Sequence, residues 1–122
     1  MVSTPLIIGH RGASAVAPEN TLAAFSRALE DGADGIEFDV RLSRDGVPVV
    51  IHDASLKRTA QMDRLVGDLD ASELQGCDVS SWFRPAQSEN KQFAGTVPTL
   101  AKVFHRFRQT NALLYLEMKS DA

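Results

Sequence analysis

The stretch "GIEFDVRLSRDGVPVVIHD", residues 35–53, decides the fold. Ile36, Phe38, Val40 and Leu42 alternate with Glu37, Asp39 and Arg41, the period-two signature of a strand with one apolar and one charged face. Asp45-Gly46 is a hairpin turn signal, and Val47 to Ile51 then read as an antiparallel return strand. The connection is too short for a parallel crossover. The charged face is unusual, because it places two carboxylates two residues apart.

Upstream, Leu6 to Gly9 read as a short buried strand, followed by a loop over residues 12–18. Asn20 or Thr21 would cap a helix with Leu22, Phe25 and Leu29 on one stripe and Ala24 and Ala28 beside it, stopped at Gly32. Downstream, residues 54–97 are polar and aperiodic. They read as an extended connection, with a short helix near Asp70, Ser72 and Glu73 and a long loop through "SSWFRPAQSENKQFAG". "PTLAKVFHRFRQT" restores helical periodicity, with Leu100, Val103, Phe104 and Phe107 on one side. "LLYLEMK" is a final strand, with Leu114, Leu116 and Met118 on one face and Tyr115, Glu117 and Lys119 on the other. The order strand, helix, hairpin, loop, helix, strand predicts an α/β fold with a parallel sheet and helices outside it. Ligands in such folds bind at the carboxyl ends of the strands.

The chain has 122 residues, one domain's worth, with 43% hydrophobic and 24% charged residues. A net charge of −3 argues against a nucleic-acid partner or an anionic membrane surface. An anionic substrate would need local cations or a metal. Cys77 is the single cysteine, so no internal disulfide forms and the thiol is expected to be inert. No signal peptide and no apolar run of about 20 residues is present, so the expectation is a cytoplasmic protein without membrane insertion.

The candidate chemistry gathers at the strand ends. Glu37 and Asp39 would repel each other inside a sheet. A divalent cation such as Mg²⁺ or Ca²⁺ relieves that repulsion, and Glu117 could add a third oxygen. The alternatives are a solvated strand face or a pair neutralised by Arg41. His10 and His52 each close an apolar run and suit general acid–base work on a phosphoryl centre; either could instead be a hydrogen-bonded structural histidine. Arg11 and Lys119 would grip a phosphate or balance the acids. His105 reads as structural, Trp82 and Phe83 as loop packing, and Asp34, Asp45, Asp53 and Arg58 as surface or turn residues. Together the candidates describe a metal-assisted phosphate ester enzyme.

At these residues the sequence resembles the glycerophosphodiester phosphodiesterases, within the phospholipase-C-like phosphodiesterases. The matching pieces are "GHRG" at 9–12, "PENT" at 18–21, "EFDVRLSRDGVPVVIHD" at 37–53, "VPTL" at 97–100 and "LEMK" at 116–119. The stretch "RTAQMDR" after His52-Asp53 departs from that pattern, as do Ala101 and Lys102 after "PTL". The resemblance implies a TIM (β/α)8 barrel, of which residues 1–122 would be the N-terminal half, with about 54–97 as a family-type insertion covering the glycerol side. It implies that Glu37, Asp39 and Glu117 bind one divalent metal, that His10 and His52 are the acid–base pair, and that Arg11 and Lys119 hold the phosphate. Glu19 and Asn20 would support the loop after the first strand. Gly9 and Gly12 would let the backbone carry His10 and Arg11 up to one phosphate. The implied reaction is hydrolysis of glycerophosphodiesters, through a cyclic phosphate, to sn-glycerol 3-phosphate and an alcohol such as choline or ethanolamine. Two alternatives stand beside it: a related phosphodiesterase acting on another lipid head group, and a catalytically inert half-barrel. A full barrel takes about 250 residues. The uncovered edge at Leu113 to Met118 therefore raises the expectation of a homo-oligomer.

Overall fold

The structure, a computed structural model, describes residues 5–83 and 95–119. Its hub is β2 (Gly35–Leu42), which pairs with every other strand. β1 (Ile8–His10) and β4 (Leu113–Met118) run parallel to it, and β3 (Pro48–Val50) returns antiparallel from the hairpin. The turn is the expected one: Ser43 N–H donates to the Val47 carbonyl, and Gly46 takes φ 78°. Among the described residues the architecture is an open four-stranded sheet and not a barrel, where the N-terminal half of a (β/α)8 barrel was expected.

Two apolar layers hold the sheet. Ile36, Phe38 and Val40 project from one face of β2 into a core with Phe25 and Ala28 of α1 (Leu22–Glu30) and Val103 and Phe107 of α4 (Leu100–Phe107). Phe25 is the pivot, with ring centroids 5.7 Å from Phe38 and 6.4 Å from Phe107. α1 begins where Thr21 Oγ1 accepts from Ala24 N–H, and α4 where Thr99 Oγ1 accepts from Lys102 N–H. Caps of this kind are worth about 1 kcal/mol each. Gly32, at φ 99°, ends the first helical unit as expected.

Of the second layer, only the short helix near Asp70, Ser72 and Glu73 was legible in the sequence, and it is present. Residues 54–83 are not an aperiodic connection. They form α2 (Lys57–Ala60), a 3₁₀ turn (Val66–Asp68) and α3 (Ala71–Leu74). Leu56, Val66, Leu69, Leu74 and Val79 close with Val97 over Val49 and Ile51 of the hairpin. Alternation along β3 sends Val50 to the first core and Val49 and Ile51 to the second. Four-residue helices are shorter than the window in which a 3.6-residue period is visible. Asp70 caps α3 through a reciprocal pair with Glu73, and Asp45 of the hairpin turn accepts from Ala71 N–H. Asp45 therefore ties the turn to this layer. The rest of "SSWFRPAQSENKQFAG", residues 84–94, lies outside the described residues.

Other expectations shift. The first strand runs Ile8–His10, and Leu6 and Ile7 are exposed, because pairing with β2 starts at Ile8–Gly35. Asp34 holds the approach by accepting from Ile7 N–H. Leu42 is 46% exposed despite its period, two residues beyond Val40, where the pairing with β4 ends. Phe104 is exposed beside the buried Val103 and Phe107. Leu114 is half-buried against the first core, whereas Leu113, Tyr115, Leu116 and Met118 are exposed.

Phe38→Ala removes a fully buried ring and is expected to destabilise the chain by about 3–5 kcal/mol. Leu42→Ala, at the exposed end of the same alternation, should cost less than about 1 kcal/mol. Urea unfolding of the two variants checks both.

Candidate active site

The charged face of β2 builds the site. Strand register explains why residues in the middle of β2 belong to a strand-end site. Glu37 pairs with His10, the last residue of β1, and Asp39 pairs with Glu117 near the end of β4. Glu37, Asp39 and Glu117 offer carboxylate oxygens that all lie within 4.8 Å of one another. Asp39 is only 1% exposed. Asn20 Nδ2 donates to its Oδ2 at 3.0 Å, Arg11 Nε stands 3.4 Å from the same oxygen, and Lys119 Nζ is 3.8 Å from Oδ1. Burial, and next the charge of Asp39, push the Glu37 carboxyl above its usual range. Glu117 is held below its own by the hydrogen bond from Lys119, at 2.9 Å. Three hard oxygen donors converging on a point, one sealed from water and one with disfavoured ionisation, fit a hard divalent cation. Arg41 Nε donates to the His52 carbonyl at 2.8 Å.

His10 stands at the exposed end of β1, with Nε2 3.8 Å from Glu37 Oε1. His52 follows β3, and its Nδ1 lies 2.7 Å from Asp53 Oδ1. Arg11 and Lys119 are both engaged by acids. Arg11 Nη1 reaches Glu19 at 3.3 Å, and Lys119 Nζ reaches Glu117. This is the charge balance that their residue types also allowed. Lys119 and Glu117 stand side by side, as their spacing predicts.

The loop after β1 is tightly determined. Arg11 and Asn20 take φ 56° and 55°, left-handed values that cost a non-glycine residue roughly 1–2 kcal/mol. Asn20 N–H donates to the Arg11 carbonyl at 2.9 Å, and Arg11 N–H donates to the Glu37 carbonyl at 2.8 Å. The neighbouring glycines have a different task from the expected one. A Cβ at Gly12 would fall 2.7 Å from the Ala24 carbonyl carbon, and one at Gly9 would fall 3.0 Å from Ala28 Cβ. The close approach they permit is to α1.

Arg58 and Asp53 were missed by sequence reasoning. Arg58 Nη1 and Nη2 donate to Glu19 at 2.7 and 2.9 Å, while Nε and Nη2 donate to Asp53 at 2.9 and 3.0 Å. Their spacing of five residues would have signalled a turn pair; the contact from Arg58 to Glu19 spans 39 positions and has no local pattern. The hydrogen bonds from Arg58, and then from His52, hold the Asp53 carboxyl down at about 2. Trp82 is half-buried; its Nε1 donates to the Val79 carbonyl, and its ring centroid lies 5.5 Å from the Arg58 guanidinium carbon. Cys77 is buried, and desolvation raises its thiol pKa, so it is the inert residue expected. Among the described residues, no helix is long and apolar enough to cross a membrane.

The sheet thus carries an acid cluster, with His10, Arg11 and Lys119 within 4 Å of its carboxylates. The comparisons name the family. Residues 10–122 match the Glycerophosphoryl diester phosphodiesterase family, and the chain belongs to it. It is 44% identical over 116 residues to the glycerophosphodiester phosphodiesterase of Caldanaerobacter subterraneus subsp. tengcongensis, covering 94% of this chain and 45% of that protein. A glycerophosphodiester phosphodiesterase from Agrobacterium tumefaciens superposes with a TM-score of 0.85 at 41% identity, over 96% of this chain and 48% of that one. A phosphodiesterase from Oleispira antarctica, solved in complex with the product sn-glycerol-3-phosphate, superposes with a TM-score of 0.82 at 40% identity, over 94% and 44%. The chain thus spans about half the length of these relatives.

Two outcomes follow from the site's electrostatics. Mg²⁺ or Ca²⁺ at about 100 times its dissociation constant should stabilise the chain by about 2.7 kcal/mol. That gain should vanish in Glu37→Gln, whose metal-free form should melt higher than the metal-free wild type because a disfavoured charge is gone. Melting curves with and without chelator read both. Asp53 is depressed in the folded state, so its contribution is complete above the unfolded carboxylate value near 3.9 and is lost as pH falls through about 2. Asp53→Asn should therefore cost on the order of 1–2 kcal/mol at neutral pH after solvent screening, and nothing at the acid end. Urea unfolding across that range tests the sign.

Proposed function

We propose that the chain carries the metal- and phosphate-binding part of a divalent-metal glycerophosphodiester phosphodiesterase. The observation that carries the reading is the convergence of Glu37, Asp39 and Glu117 within 4.8 Å, flanked by His10 on one side and Lys119 on the other. Family membership supports the substrate class, and the product bound in the Oleispira antarctica relative supports sn-glycerol 3-phosphate as the product here. Glu37, Asp39 and Glu117 would hold Mg²⁺ or Ca²⁺. Such an ion, when bound, neutralises phosphate charge and acidifies a nearby hydroxyl.

Arg11 and Lys119 would orient the phosphate, the first as a two-pronged donor and the second as a point charge. One imidazole of His10 and His52 would take the proton from the glycerol 2-hydroxyl as its oxygen attacks phosphorus. The other would give a proton to the departing alcohol oxygen, leaving a cyclic phosphate. Water would then open the ring with the two roles reversed, giving sn-glycerol 3-phosphate. Glu19 and Asn20 would support the site by holding Arg11 and Asp39. Residues 54–97 would be the insertion beside the glycerol end, and the sheet would be the first half of a barrel. The exposed residues of β4, Leu113, Tyr115, Leu116 and Met118, would seat further strands or a second copy in a homo-oligomer.

Glycerophosphocholine incubated with the chain and Mg²⁺ or Ca²⁺ should release glycerol 3-phosphate, and a chelator should abolish release. His10→Ala and His52→Ala should each lower kcat by at least about 100-fold. Release that ignores the chelator or survives both substitutions overturns the reading.

A further inference from the structure

Arg58 lies on α2, outside the charged face of β2, yet its guanidinium joins the two sides of the site. Its four hydrogen bonds go to two carboxylates, and Nη2 is shared between them. Asp53, on one side, lies 2.7 Å from His52 Nδ1 through the same Oδ1 that Nη2 reaches. Glu19, on the other side, takes Arg11 Nη1 on the same Oε2 that Nη2 reaches. Each carboxylate thus has one oxygen bridging Arg58 and a site residue. Glu19 is nearly buried at 10% exposure, and Asp53 is half-buried. Arg58 Nη2 is thus the donor that these two like charges share. Trp82 covers the guanidinium, so the segment after β3 also takes part.

We propose that Arg58 is a positioning residue for the phosphodiesterase reaction: by clamping Asp53 and Glu19 together it fixes the tautomer of His52 and the placement of Arg11. This rests on reading His52 as an acid–base group. Asp53, held as an acceptor, receives the hydrogen bond of His52 Nδ1–H, which leaves Nε2 as the ring nitrogen that exchanges protons. Only a planar fork of donors can engage two carboxylates in this way. A lysine at the same position would supply the charge as a single point. Arg58 touches no reacting atom; it acts through Asp53 and Glu19.

The test compares the wild-type chain with Arg58→Gln and Arg58→Lys. Both should fold, because the Arg58 side chain is 42% exposed and belongs to neither apolar core. The first readout is the ¹⁵N spectrum of the imidazole rings at mildly alkaline pH, with His52 assigned through its own His52→Gln variant. The wild type should show His52 protonated on Nδ1, and Arg58→Gln should show a mixture of the two neutral tautomers. Arg58→Lys should fall between them. The second readout is turnover of glycerophosphocholine, where kcat should fall by about 10–100-fold in Arg58→Gln with KM changed less than about threefold. An unchanged His52 tautomer in folded Arg58→Gln overturns the proposal. So does an unchanged kcat in a wild-type background that turns over. If the wild type does not turn over at all, the functional reading fails for this chain, while the tautomer still decides the role of Arg58. Should Arg58→Gln fail to fold, Arg58→Lys gives the same decision: a wild-type His52 spectrum there contradicts the need for a two-pronged clamp.

Discussion

Asp39 is a carboxylate sealed from water in the middle of the strand that every other strand pairs with, and much of the chain is arranged around keeping it there. A buried unpaired charge is costly enough that a fold either neutralises it or avoids it. Here its partners come from two separate places: Asn20 and Arg11 from the loop after β1, and Lys119 from just beyond β4. The left-handed backbone at Arg11 and Asn20 is the conformational cost of bringing the first two there. That cost is borne because α1, docked through Gly9 and Gly12, and the Arg11 hydrogen bonds to Glu37 over-determine the loop.

The two cores divide the work. The core of α1, α4 and β2 sets the plane of the sheet and thereby the registers His10–Glu37 and Asp39–Glu117. The second core, built from three short helical turns, fixes the far end of the hairpin and brings α2 back toward the loop after β1. His52 stands where the two meet, one residue past Ile51, which belongs to the second core and donates its N–H to the Asp39 carbonyl. Its imidazole is therefore positioned from both sides, by the sheet behind it and by Asp53 and Arg58 beside it.

Much of this was legible in the sequence because it is periodic or local. The alternation from Ile36 to Val40, the Asp45-Gly46 turn, the cap at Thr21 and the stripe Leu22, Phe25, Leu29 each declare themselves within a few residues. The candidate site residues stand out for another reason: Glu37 and Asp39 put charge on one face of a strand whose other face is apolar. Apart from the short helix near Asp70, the second core was hidden because a four-residue helix shows no period, and its apolar residues Leu56, Val66, Leu69 and Leu74 look scattered until they close on Val49 and Ile51. Arg58 was hidden because its meaning lies in a partner 39 residues away. Leu42 and Phe104 misled for the opposite reason: each obeys its local period, yet no element covers it. The chain matches about half the length of its relatives, and its described strands form an open sheet.

The account turns on whether the three carboxylates hold a cation. Crystals of the chain soaked in manganese, an anomalous-scattering stand-in for magnesium, answer that directly. The account predicts one strong anomalous peak bounded by Glu37, Asp39 and Glu117, with Asn20 still donating to Asp39. A fully occupied ion elsewhere on the chain, or no peak between these carboxylates at manganese concentrations that saturate a full-length relative, would contradict it.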